Sequence, residues 1–166
     1  MAIYKIFPEK SATLYSYYPT LNSGLDEILE IGAYLATDGT YQVARPLIQF
    51  PQDEIIDIID NKVNGALYEA YLRLSLANAS QIPLDYLVYC YPLVYSWNVG
   101  TGRYLNDPIT TDGASWEYTD QLNGNVWVPN TYPAGATASY SSQTAGCLRG
   151  IAQMLVGAWR RPQAIW

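Results

Sequence analysis

The sequence predicts an all-β chain, an antiparallel jelly-roll β-sandwich with one short helix near residues 53–60 and a C-terminal helix. Three observations carry that expectation. Ala66 to Ala77 alternates at period two, with Ala66, Tyr68, Ala70, Leu72, Leu74 and Leu76 on one face and Glu69, Tyr71, Arg73 and Ser75 on the other. Such alternation suits a strand with one buried face. Turn signals recur between apolar runs, at Leu21-Asn22-Ser23-Gly24 and at Thr37-Asp38-Gly39-Thr40. Strand-like runs follow one another without alternating helices, which favours a sandwich over βα units.

Taken in order, Met1 to Phe7 reads as a first strand ended by Pro8, and Ser11 to Tyr18 is a Ser/Tyr-rich segment closed by Pro19. Glu27 to Ala36 alternates as a strand, since Gly32 weakens a helix. Tyr41 to Phe50 is its return partner, confined by Pro46 to an edge or a bulge. In Pro51 to Asn61 the isoleucines 55, 56, 58 and 59 fall at helical spacing between acids, and Asp53 and Glu54 suit a helix N-terminus. Leu84 to Trp97 is apolar on both faces, as in a central strand covered on both sides, although Tyr86, Tyr89, Tyr91 and Tyr95 would also suit a partner subunit. Tyr95 to Trp127 carries Trp97, Trp116 and Trp127 between Gly, Asn, Asp and Thr loops, and predicts long crossing connections pinned by indoles. Pro129 to Ser142 is loop-like. Leu148, Ile151, Ala152, Leu155 and Trp159 lie at helical spacing up to Pro162. Residues 1–142 therefore form the sandwich, and 143–166 a helical tail that completes it or docks on a neighbour.

With 166 residues, one domain is expected. Charged residues make up 14% of the chain, well below the roughly 25% of an average domain, while 49% are hydrophobic, so a full core is available and disorder is excluded. A net charge of −6 argues against nucleic acid as a partner. No apolar run reaches the roughly 18 residues that would span a bilayer, so no membrane partner is expected. No export signal is visible at the N-terminus. The absence of histidine removes the usual hydrolytic triads and zinc sites. Two cysteines make no disulfide framework. Cys90 reads as a buried thiol, with a Cys90–Cys147 bond as the alternative.

Few residues suggest chemistry. Lys5, Lys10 and Lys62 are isolated, and the acid pairs Asp26-Glu27 and Asp53-Glu54 read more simply as solvated or capping groups than as a glycosidase pair. Asp107 and Asp112 are candidate calcium ligands, but their spacing fits an Asx-type turn better. No cofactor is expected. Trp97, Tyr104, Trp116, Trp127 and Tyr132 form a candidate sugar-stacking platform. The 16 tyrosines against 3 lysines also match the bias of protein interfaces, which points to a surface covered by neighbours. Arg160 and Arg161 would then dock on an acidic partner, with a solvated tail as the alternative.

Six segments in order resemble DNRLRE-type, carbohydrate-binding-module-like domains, the jelly-roll sandwiches found in bacterial surface proteins, polysaccharide-active enzymes and phage virion proteins. They are KIFPEKSATLYSYYPTLNSG, DEILEIG, RPLIQFP, NGALYEAYLRLSL, YPLVYSWNVGTGRY and TDGASWEYTDQLNGNVWVP, which together span roughly residues 3–135. The chain departs from the pattern at Asn98-Val99, where an acid usually precedes the Gly-x-Gly, and after Ser142, where the closing segment is not visible. The resemblance implies structural anchors at Arg45, Leu72, Leu74, Trp97 and Trp116. It leaves Arg103, Tyr104, Trp127, Tyr132, Arg160 and Arg161 as binding or interface candidates. The expected function is a non-enzymatic phage virion protein that decorates the capsid or joins tail or baseplate parts, is located in the virion, and meets other virion proteins or copies of itself. The alternative is a module that binds a host surface polysaccharide.

Overall fold

The computed structural model describes residues 2–77, 87–93, 95–127 and 153–159. Their strands are β1 (Lys10–Tyr15), β2 (Gly32–Leu35), β3 (Tyr41–Gln49), β4 (Leu87–Pro92), β5 (Tyr118–Asp120), β6 (Asn125–Val126) and β7 (Gln153–Trp159). One helix, α1 (Gln52–Asp57), continues into a π-helical turn at Ile58–Val63. A five-stranded sheet runs in the order β1-β3-β7-β4, with β2 also paired to β3, and β5 and β6 form a separate two-stranded ribbon. The fold is therefore rich in sheet with one short helix, and no barrel closes among the described residues.

The hairpin between β2 and β3 forms where the turn signal stands. Ala36 and Thr40 close it through a backbone bond of 2.8 Å, Gly39 supplies a left-handed φ of +83°, and the Asp38 carboxylate accepts from the Thr40 N–H and hydroxyl. Strand β3 is central rather than an edge. It holds β1 on one side through Ala44–Gln49, and on the other β2 through Tyr41–Ala44 and β7 through Leu47–Gln49. Pro46 is tolerated there because it lies in the gap between the β2 and β7 ladders, where no strand needs its missing N–H.

Strand β1 is buried on both faces. Ala12 and Leu14 join Leu47, Leu93, Trp97, Ala114 and Trp127 in the main core, against which Val99 and Trp116 pack. Thr13 and Tyr15 alternate to the opposite face, where the Thr13 hydroxyl accepts from the Glu30 N–H. The outer edge of β1 has no neighbouring strand among the described residues. There Ser23 acts in place of one, its hydroxyl accepting from the Thr13 N–H (2.8 Å) and donating to the Thr13 carbonyl (2.7 Å). The two core indoles are each 4% exposed. Burial of that much aromatic surface contributes roughly 4–6 kcal/mol apiece as an upper bound.

Several expectations are corrected. Residues 2–8 form no strand. Glu27 to Ile31 is irregular, and β2 occupies only the end of that run. Among the described strands β4 stands at a sheet edge rather than at the centre, with Val88 and Cys90 exposed. Cys90 is thus not a buried thiol, although nearby chain desolvates it enough to raise its pKa. Gln153–Trp159 is a strand, not a helix: it fills the slot between β3 and β4, pairing with β3 through Gln153–Leu155 and with β4 through Met154–Trp159, and Gly157 and Val156 weaken a helix in any case. The largest correction is Ala66 to Ala77, which forms no strand and pairs with none among the described residues. Leu72 and Leu74 are 39% and 49% exposed there, so neither is a core anchor.

Candidate functional site

One buried amide positions the surface around Tyr104. The Asn22 side chain donates to the carbonyls of Val99 (2.8 Å) and Ala114 (2.9 Å) and accepts from the N–H groups of Gly102 (2.8 Å) and Gly24 (3.2 Å). Its own N–H donates to the Thr110 carbonyl at 3.0 Å. All four hydrogen-bonding places of the amide are filled, in a fully buried residue. The loops from Val99 to Ala114 are wound around it, and their glycines are what allow the approach. A Cβ on Gly100, Gly102 or Gly113 would collide with Asn22, and one on Gly24 would collide with the Val99 carbonyl.

This winding delivers the 102–106 turn onto the end of β1. Leu25 donates to the Gly102 carbonyl, the Arg103 N–H donates to Asn106 Oδ1, and the Tyr104 N–H donates to the Asp26 carboxylate at 3.1 Å. Tyr104 comes to rest 4.8 Å from the ring of Tyr15 and 5.9 Å from that of Tyr18, which in turn meets Tyr17 edge-on at 4.7 Å. Tyr15 is buried, and its burial, with the Glu30 charge next in weight, raises its phenol pKa. Tyr17, Tyr18 and Tyr104 remain exposed, flanked by exposed Leu25 and Leu105. The result is an aromatic surface with ring faces, phenol oxygens and one carboxylate, suited to contact with another protein or with a sugar ring.

The sequence-predicted candidates fall differently from that cluster. Arg103 and Tyr104 are exposed and belong to it. Trp127 is not a contact residue: it is buried, and its indole N–H donates to the Ser115 carbonyl at 2.9 Å. Trp97 is buried under Lys10, whose ammonium lies 4.8 Å from the ring and donates to the Trp97 carbonyl at 2.6 Å. Desolvation lowers the Lys10 pKa. Trp116 is half-buried, with the Arg45 guanidinium 5.3 Å from its ring. The three indoles therefore do not make a common platform. Tyr132, Cys147, Arg160 and Arg161 lie outside the described residues.

Asp112 is engaged by Thr101, accepting from its N–H (2.9 Å) and its hydroxyl (2.5 Å), and it does not converge with other acids. No group of three or more His, Cys, Asp or Glu residues gathers among the described residues. Nor is any described helix long and apolar enough to cross a membrane. An open hollow of about 410 Å³ beside the π-helical turn is lined by Ile59, Asp60, Val63 and Tyr68, and touches none of the predicted site residues.

Sequence reasoning missed Tyr17, Tyr18 and the role of Asn22. The YSYYP run and the Asn-Ser-Gly turn were visible, but only the pairing of loops far apart in sequence brings them to Tyr104. Comparison with protein-family models, curated proteins and solved structures finds no match for this chain.

Proposed function

We propose that the chain is a non-enzymatic structural protein of a phage particle, a DNRLRE-like jelly-roll module that decorates the capsid or joins tail or baseplate parts through protein–protein contacts. The observation that carries the assembly part of this reading is the exposure of large apolar side chains over Tyr17, Tyr18, Leu25, Tyr104 and Leu105 and along Leu67 to Leu76. Large apolar side chains in a chain with so little charge are costly to leave in water, and neighbouring subunits would cover them. The assignment to a phage particle rests on the six-segment resemblance. The decisive experiment is quantitative mass spectrometry of purified, intact particles. A fixed copy number of this chain per particle is expected. Its absence from particles, with the protein free in the lysate, would overturn the reading.

Recognition of a host surface polysaccharide is the second reading, favoured by the exposed rings of Tyr17, Tyr18 and Tyr104 around Asp26. Retardation on a polysaccharide affinity gel that vanishes in a Tyr18→Ala/Tyr104→Ala variant would support it. Unchanged mobility in gels of the host's own surface glycan would count against it.

A further inference from the structure

Resting on the assembly reading above, and naming a partner for it, we propose that Ala66–Ala77 is a donated strand that pairs with the open edge of β4 in a second copy of this chain. The segment has the pattern of a strand, with six apolar residues at period two facing one way. Yet in the structure it belongs to no strand or helix, and beyond the Ala66 N–H it makes no backbone hydrogen bond to any described residue. Its apolar face is uncovered, with Tyr68, Leu72, Leu74 and Leu76 all exposed. The turn that releases it is built from two successive left-handed residues, Asn64 (φ +47°) and Gly65 (φ +79°), which end the π-helical turn and redirect the chain.

The same chain carries a matching acceptor. Strand β4 pairs with β7 on one side and with nothing on the other among the described residues. Its sequence, LVYCYP, contains no charge, so the edge lacks the lysines or inward charges with which sheets ordinarily repel added strands. Pro92 at its end is the lone blunting device. Val88 and Cys90, on one face of this edge, are exposed. The donor segment carries Glu69 and Arg73, one charge of each sign, so the net charge of −6 does not set donor against acceptor. A chain that holds both an unpaired strand and an unpaired edge finds both complements in its own copy, and needs no foreign partner to satisfy them.

Two variants of the full chain separate donor from acceptor. Leu72→Asp/Leu74→Asp disables the strand, and Val88→Asp/Cys90→Asp disables the edge, with circular dichroism to follow the fold of each. By light scattering at tens of micromolar, the wild type is expected at twice its 18.5 kDa mass or more, and each variant alone at the monomer mass. Mixing the two variants should restore a one-to-one complex, because each keeps the half the other lost. A wild type that stays monomeric, a variant that keeps the wild-type mass, or a mixture that fails to associate overturns the proposal. So does unfolding of the Leu72→Asp/Leu74→Asp variant, which would place the segment against its own chain. In all of these cases the copy number in particles still decides the assembly reading separately.

Discussion

At the scale of single residues, Asn22 is the most consequential side chain described. Replacing it by alanine removes two donated and two accepted hydrogen bonds at once and strands the carbonyls of Val99 and Ala114. Asn22→Ala is expected to cost about 3–5 kcal/mol in urea unfolding, the range for a broken buried network. The glycines around it give a graded comparison. Gly113→Ala must push its Cβ into the Asn22 amide and the backbone of Gly100, and should cost more than about 2 kcal/mol. Gly124→Ala meets open space and bears only the strain of a φ of +69°, about 1 kcal/mol. Tyr15 adds a pH dependence. Its pKa in the folded state is raised by burial above the ordinary 10.0, so the neutral phenol is the form the fold favours. That stabilisation is constant below pH 10 and is lost as the pH rises past the unfolded-state value. Lys10 works in the opposite direction: its lowered pKa means the fold gains stability as the pH approaches 10.5. Tyr15→Phe should therefore flatten the decline in melting temperature above pH 10, which a thermal series from pH 8 to 11.5 would reveal.

At the scale of elements, β1 shows how a side chain can stand in for a strand. Ser23→Ala leaves the Thr13 N–H and carbonyl unpaired in a buried place, and is expected to cost about 2–3 kcal/mol, measured by denaturant midpoint. Helix α1 starts at Pro51, which offers no side-chain acceptor although its backbone is already extended, so Pro51→Ser should add a few tenths to about 1 kcal/mol. The elements legible in the sequence are those decided locally. The Asp38-Gly39 hairpin follows from turn chemistry, and α1 from the spacing of Ile55, Ile56, Ile58 and Ile59. The illegible ones are decided by partners far along the chain. Leu155 and Trp159 fit a helical spacing and a strand equally well, until the slot between β3 and β4 selects the strand. Ala66 to Ala77 has the alternation of a strand, but alternation states only which face seeks burial, not whether a partner is present. The candidate site fared similarly. Tyr104 was visible because it stands among turn residues, whereas Trp127 looked available for contact only because a sequence does not show that Ser115 lies within reach of its indole.

At the scale of the whole molecule, the proposed place in an assembly rests on the 14% of charged residues and on the large apolar side chains exposed among the described residues. The aromatic surface and the proposed β4 acceptor edge are separate features, so they predict separable losses. A Tyr17→Ala/Tyr18→Ala/Tyr104→Ala variant is expected to keep its secondary structure by circular dichroism, because two of the rings stand on a turn and the third on a loop held by Asn22. In particles assembled with this variant as the sole source of the chain, its copy number should fall severalfold. Retention at the wild-type copy number would remove the aromatic surface from the assembly contacts.

The position of β7 has a temporal consequence. Leu47 pairs with Leu155 and Tyr91 with that same residue from the opposite side, so the last of the described strands is the one that joins β3 to β4. Until Trp159 has left the ribosome, β3 and β4 cannot be bridged, and each lacks the pairing that β7 supplies. Contacts so distant along the chain also close slowly. The nascent chain thus passes through an interval in which its sheet is split and prone to mispairing. A folding assay on ribosome-stalled chains should find the β1–β3 pair protected from proteolysis before Gln153 emerges, and β4 protected only afterwards.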